Sequence, residues 1–452
     1  MNTDQMDRTI RDVLNNWTPD SPAAPAGLVD RLVRRRRRRG LVRAGGAALA
    51  IAGVTVGAIM VTGTGGQGGE PRPAGQVSKE SRLWWRTTLP TSSLDACTTG
   101  PGAVYCRSAA YDAVSLDIGT GKIAWQRKGQ DPNGGASPAG RLPGVRDGVL
   151  YTFADHAPKK PRPGTDLVAL DVESRRVLWR HELADDSRGP VSAIMFERGI
   201  LANTPTFKKV AALDGKTGRT LWTHAWKQAD CDRAVIGGVP YLTCSPDSEK
   251  APQRSTVVRL DPATGAARTV ATVKGMTTLL GTDGDTVLLG GPAGDRRSFG
   301  DPGPVTLTRV DTRSGKITQH RADRLPWGVV ADGVILGTDG RGRAVAYSAD
   351  DGTRLWSRDL GLKLRKNPRD SALRELPSAA AVDLDARLAY FMDPSGNLVG
   401  VDLGSGEVRW RDRVALPKTP ANAGVAPELM VHDHGLVGQT GGELFRIEPK
   451  VK

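Results

Sequence analysis

The sequence predicts an all-β protein: an eight-bladed β-propeller closed by N- and C-terminal strands sharing a blade, preceded by one transmembrane helix. Three observations carry this expectation. A strand-turn-strand motif recurs about every 47 residues, the length of a four-stranded blade. The C-terminus stops on half of that motif, and the missing half stands near the start of the repeats. Ahead of all of them lies one uncharged apolar run with a block of arginines before it.

Composition agrees with a turn-rich chain. The 452 residues include 55 Gly and 30 Pro, which argues against a helical bundle, while the 38% hydrophobic content argues against disorder. Ten Trp against six Tyr and six Phe reverses the usual order, so some repeated position recruits tryptophan. Of the net charge of +14, residues 1–43 carry +5 and the other 409 residues +9, so the part beyond the N-terminal block is only mildly basic.

The N-terminal elements follow in order. Residues 1–40 read as a basic cytoplasmic segment, 41–63 as a transmembrane signal-anchor helix and 64–81 as a flexible linker. No charge occurs between Arg43 and Glu70, and the apolar run 44–62 would span about 28 Å as a helix, the thickness of a hydrocarbon core. Six arginines at 34–39, with Arg31 and Arg43, place the N-terminus in the cytoplasm and the propeller on the far side of a single-pass cell-membrane protein. A cleaved export signal competes with this reading, although some forty residues precede the apolar run. Arg38-Arg39-Gly40-Leu41-Val42 also resembles a twin-arginine signal, a match that any six-arginine run can give. Beside an apolar span the arginines meet anionic lipid headgroups, so nucleic acid is not an expected partner. Gly53 and Gly57 form a weak GxxxG pairing motif. The Gly- and Pro-rich linker has no apolar period and suits a spacer.

Residues 82–450 are read as the propeller. Its copies are LDIGTGKIAW with Asp117, Gly121 and Trp125; LDVESRRVLW with Asp171 and Trp179; and LDGKTGRTLW with Asp214, Gly218 and Trp222. Weaker copies carry Asp261 and Gly265, Asp311 and Gly315, Gly352 and Trp356, and Asp402, Gly406 and Trp410. Arg175 takes the glycine position of the second copy. The eighth is split: LFRIEPK ends the chain with Glu448 in the aspartate position, and LWWRTTL near its start brings Trp85 into register. Dividing residues 83–450 into eight gives about 46 per blade, against about 53 for seven.

The motif has a physical reading. The Asp carboxylate can accept backbone amides of the turn, and glycine takes the positive φ that a tight turn requires. Tryptophan then sits at a fixed depth in the following strand. The repeats resemble those of the PQQ-like, quinoprotein-type β-propellers, with a motif close to A-x-D-x-x-T-G-x-x-x-W. Within that family the chain most resembles the non-enzymatic outer-membrane assembly factor type, here joined to an N-terminal membrane anchor. The resemblance implies that the six tryptophans dock against neighbouring blades and that the aspartates stabilise turns. It departs from that type in lacking a lipobox: the first cysteine, Cys97, lies well past the apolar run, so no lipid anchor is expected.

Each cysteine pair brackets a predicted hairpin, Cys97 with Cys106 about Pro101-Gly102, and Cys231 with Cys244 about Gly237-Gly238. Counting out from a two-residue turn, Cys97 is fourth and Cys231 sixth; even positions are non-hydrogen-bonded pairs with Cα atoms about 4.5 Å apart, within disulfide range. Pro-Gly is not a preferred hairpin turn, which leaves the first register open. Two disulfides are expected, and they fit an oxidising exterior.

The short turns leave one face of the disc, and the long segments 130–141, 155–165, 245–255, 290–304 and 361–378 leave the other. Binding is expected on the long-loop face, where Lys159, Lys160 and Arg162 make one loop basic and Lys363, Arg365, Lys366 and Arg369 another. The resemblance also raises a quinone cofactor, which in that family needs adjacent cysteines, Ca²⁺-coordinating carboxylates and a catalytic Asp. No Cys-Cys occurs, and no catalytic, metal or cofactor residue is assigned. Asp283, Asp285, Asp383 and Asp385 stand beside predicted turns, and His432-Asp433-His434 aligns with the short turns of other blades. The expected function is a membrane-anchored, extracytoplasmic, non-enzymatic scaffold for a protein or cell-envelope polymer. A transmembrane sensor and a degenerate PQQ-dependent dehydrogenase are the alternatives.

Overall fold

The computed structural model describes residues 82–450 apart from 90–93, 95, 109, 130–141, 157–163, 184–192, 207, 228–229, 247–253, 293–303, 323–324, 326–327, 340–342, 364, 367–373, 376–379, 394 and 417–427. Eight antiparallel four-stranded sheets account for nearly all of it. Blades 1 to 7 span 96–128, 144–182, 193–225, 230–274, 278–322, 328–358 and 381–413. Blade 8 takes three strands from 428–448 and its outer strand, Arg82–Thr88, from the other end of the chain. A two-stranded hairpin, Arg365–Lys366 with Arg374–Glu375, lies between blades 6 and 7. No described helix is long and apolar enough to cross a membrane, and the segments read as basic, transmembrane and linker lie outside the described residues.

Burial follows each strand's place in its blade. In blade 3 the middle strands Gly199–Asn203 and Lys209–Asp214 are buried almost throughout, because a neighbouring sheet covers each face. The outer strand Thr220–Ala225 alternates, with Trp222 buried and its neighbours exposed or half-buried. The apolar core is accordingly a set of interblade layers. Phe196, Leu201 and Trp222 of blade 3 pack with Cys231, Leu242 and Leu260 of blade 4, and Trp85 and Leu444 of blade 8 with Val104, Val114 and Leu116 of blade 1.

Several short turns between first and second strands place two successive residues at positive φ, the twist that suits a two-residue hairpin. Asp147-Gly148, Gly237-Gly238, Asp332-Gly333 and Asp433-His434 are of this kind. The ring closes through pairing of Arg82–Thr88 with Glu443–Glu448. Side chains add to it: Trp84 Nε1 donates to the Glu448 carboxylate at 3.2 Å, and the Arg446 guanidinium stands 4.5 Å from the Trp84 ring.

Candidate functional site

In five blades the turn before the outer strand is built alike. Asp117 Oδ1 accepts both the Thr120 amide and the Thr120 hydroxyl at 2.7 Å, while the Gly121 amide closes the turn on the Asp117 carbonyl at 2.8 Å. Asp214 with Thr217, Asp261 with Thr264, Asp311 with Ser314 and Asp402 with Ser405 repeat the arrangement, and Asp171 accepts the Ser174 amide at 2.6 Å. These bonds favour the ionised carboxyl, so Asp117 is held below the usual range, first by the Thr120 hydroxyl, and Asp214 first by the Thr217 amide.

The residue after the turn is Gly121, Gly218, Gly265, Gly315, Gly352 or Gly406, each near φ +70°. Arg175 holds the same conformation at φ 61° in blade 2. Tryptophans lie directly on four of these glycines. A Cβ added at Gly121, Gly218, Gly265 or Gly406 would stand 2.5 Å from the ring of Trp85, Trp179, Trp222 or Trp356 respectively, always from the preceding blade. Each indole N–H donates to a carbonyl of that same turn: Trp85 to Ile118 at 2.8 Å, Trp179 to Gly215 at 2.9 Å, Trp222 to Pro262 and Trp356 to Leu403 at 3.0 Å. Trp125, which precedes the Arg175 blade, is half-buried beside Tyr105, whereas Trp410 is fully buried against blade 8.

A bulge aims every one of these tryptophans. In blade 3, Leu213 faces Thr220 and Ala212 faces Trp222, so Leu221 is an extra residue. Ala124, Leu178, Leu355, Arg409 and Trp84 are skipped in the same way before Trp125, Trp179, Trp356, Trp410 and Trp85. An extra residue reverses the side-chain alternation. It turns tryptophan to the next blade and leaves Trp84, Leu178 and Leu355 at 42%, 46% and 45% exposure.

Blades 4 and 5 have Thr269 and Gln319 at the tryptophan position, and there the skip is absent. Thr269 faces Val258 directly, with the bulge coming only afterwards, and Gln319 faces Thr308 in an unbroken register. Both side chains therefore point to the sheet face opposite the tryptophan side. The following seams close without a ring: a Cβ at Gly315 would meet the Val270 carbonyl at 2.7 Å, and one at Gly352 the Ala322 side chain at 3.2 Å.

Both disulfides form, with Cα atoms 4.1 Å apart for Cys97–Cys106 and 4.0 Å for Cys231–Cys244. Each joins directly opposed residues of a first and second strand. Lys363 is exposed, and its amide donates to Asp393 at 3.0 Å. Arg365 and Lys366 form one strand of the small hairpin, while Lys159, Lys160, Arg162 and Arg369 lie outside the described residues.

Asp383 is buried at a turn, accepting the Ala386 amide at 2.9 Å, and it also meets His434 Nδ1 of blade 8 at 3.0 Å. The hydrogen bond and the charge of Asp383 raise the His434 imidazole above its usual value. His432 contacts Asp433 at 3.2 Å, Asp285 pairs with Arg313 at 2.6 Å, and Asp283 ends a first strand. Among the described residues no three His, Cys, Asp or Glu side chains converge as metal ligands. All four cysteines are engaged in hairpin disulfides and none adjoins another. Among the described residues, then, no donor set matches the quinone-and-calcium arrangement that the resemblance raised.

The sequence family described as PQQ_2, outer membrane protein assembly factor BamB, matches residues 74–195, 139–280 and 206–439 in overlapping segments. The outer membrane protein assembly factor BamB of Bordetella pertussis is 28% identical over 138 residues, 30% of this chain and 31% of that protein, so this chain spans about a third of that curated relative. The crystal structure of BamB from Moraxella catarrhalis superposes with a TM-score of 0.52 at 15% identity, covering 82% of this chain and 100% of that one. The computationally designed Ika8 protein gives 0.50 at 13% identity, over 80% and 98%. At such identities the two structures share the fold.

Proposed function

This chain belongs to the PQQ_2 family, described as outer membrane protein assembly factor BamB, and from that premise we propose that it is a non-enzymatic binding scaffold. In this reading residues 41–63 anchor it in a membrane as a single span. The propeller is then presented on the extracytoplasmic side, and its long-loop face takes a protein or cell-envelope polymer. The observation that carries the reading is the use of the repeat residues. The motif aspartates bond their own turns, and Trp85, Trp179, Trp222 and Trp356 bond the turn of the next blade. Those side chains hold the disc together, which leaves recognition to the connections that leave the other face. The description of the family and the relatives named BamB support a scaffold role, while fold alone does not supply a partner.

The test uses the full chain in intact cells, crosslinked and purified for mass spectrometry, beside a variant with Lys363, Arg365, Lys366 and Arg369 replaced by Ser. The expected result is a reproducible partner whose capture falls in the variant, and no dye-linked oxidation by the purified chain given PQQ and Ca²⁺. Substrate oxidation with bound quinone absorbance, and no captured partner, would count against the scaffold.

A further inference from the structure

The bulge that aims tryptophan in six blades is displaced in blade 4, and the displacement leaves a concavity. Thr269 turns away from blade 5 and, with Ala267, lines a pocket of about 260 Å³ at the rim between blades 3 and 4. Leu242, Cys244 and Val258 form its apolar base, and His224, Ala225, Trp226 and Lys227 its other wall. The volume is below the roughly 300–1,000 Å³ of sites for drug-sized ligands, and it suits one or two amino-acid side chains. Trp226 is fixed through its main-chain N–H, which donates to the Lys208 carbonyl at 3.0 Å. Its indole Nε1 is buried and has no hydrogen-bond partner among the described residues. A buried donor left unmet is unfavourable, so a turn of the indole that brings it to an acceptor in the pocket is favoured.

The strand beside the pocket is also the longest outer strand of the disc. Ala267–Lys274 has eight residues, against five to seven in the other outer strands, and hydrogen-bonds a neighbour on one side alone. Its centre, Thr269 to Val273, carries no charge and no Pro, and the bulge at Val270 is what blunts it. Exposed cations flank it at Lys227, Arg268 and Lys274, and none of the described residues lining the pocket is acidic.

We propose that this edge docks an extended segment of a partner polypeptide, which adds to blade 4 as a fifth strand. One of its apolar side chains fills the pocket, one of its main-chain carbonyls accepts from Trp226 Nε1, and acidic residues flank the segment. Main-chain pairing supplies affinity in this mode and the alternate side chain supplies selection. The proposal rests on the scaffold reading and adds the chemistry of a partner to it.

A phage-displayed library of random octapeptides, panned on the full chain in detergent micelles, is the probe. Enriched peptides with alternating apolar residues and an acidic flank are expected, and their binding should slow amide exchange along 267–274. Trp226→Phe keeps the ring without the donor and should weaken them by about 5-fold, the size of one hydrogen bond. Thr269→Trp fills the pocket and should abolish binding, while Leu178→Ala, on another blade, should change nothing. If Thr269→Trp melts early, Trp226→Phe decides. Absence of enrichment, or peptides indifferent to both variants, would overturn the proposal. Crosslinks to the long-loop face without edge binding would also overturn it, yet leave the scaffold reading standing.

Discussion

Trp85 lies on Gly121 of the next blade, so the strand that opens the propeller is locked to the first complete sheet. Its Nε1 donates to the Ile118 carbonyl at 2.8 Å, and a Cβ at Gly121 would stand 2.5 Å from its ring. The glycine is thus required twice, by its φ of +69° and by the approach of the indole.

Replacing Gly121, Gly218, Gly265 or Gly406 by Ala should therefore destabilise by about 2–4 kcal/mol, combining the left-handed backbone cost with overpacking. Gly102, at φ +70° with nothing near its absent Cβ, isolates the first contribution and should cost about 1–2 kcal/mol. Urea unfolding midpoints at constant slope give the comparison.

The tryptophans should rank by burial. Trp410→Ala, at a fully buried ring, is expected to cost about 3–5 kcal/mol. Trp125→Ala should cost less than half as much, since that ring is half-buried and its blade precedes the one turn that carries Arg175 in place of glycine. Equal losses from the two variants in denaturant titrations would contradict the seam account.

A pH dependence follows from His434 and Asp383. His434 is raised by the Asp383 hydrogen bond and charge, with Asp385 and Asp433 adding in the same direction. A raised histidine gives stability that is fully present below its unfolded value near 6.5 and is lost as pH rises through the higher folded value. The melting temperature of wild type minus that of His434→Gln should be positive near pH ~5.5 and shrink toward zero by pH ~9. The imidazole is 66% exposed, so the effect should be small and weakened by salt.

The disulfides should act locally. Cys97→Ser with Cys106→Ser, and Cys231→Ser with Cys244→Ser, each remove a crosslink inside one hairpin, separated by 9 and 13 residues. A loss of about 2–3 kcal/mol is expected for each, adding in the combined variant because they lie in blades 1 and 4. Retention of the β-rich circular dichroism spectrum at 20 °C, with a lower melting temperature, is the readout.

The blade count and the split eighth blade were legible because they rest on residues within one motif. Asp214, Gly218 and Trp222 stand at fixed offsets, and the half-motifs at Trp85 and Glu448 complement each other. The cysteine registers were legible too, since two-residue turns fix the pairing of Cys97 with Cys106 and of Cys231 with Cys244. The bulge was not. Thr269 and Trp222 stand equally far from their aspartates, and only the skipped residue decides which face each one takes. Nor could spacing reveal His434 with Asp383, which are 51 residues apart and meet where blade 8 packs on blade 7. Trp226 belongs to no motif, and only the packing shows that its indole N–H meets no acceptor among the described residues.

The most direct test of the central claim is site-specific photo-crosslinking of the full chain in living cells, comparing the two faces of the disc. A photoreactive residue would replace Lys363 on the long-loop face, or Lys216 in the short turn of blade 3. The account predicts a discrete crosslinked partner from position 363 and only background from position 216. A partner captured from 216 with none from 363, or none from either while the purified chain oxidises substrate with PQQ, would contradict it.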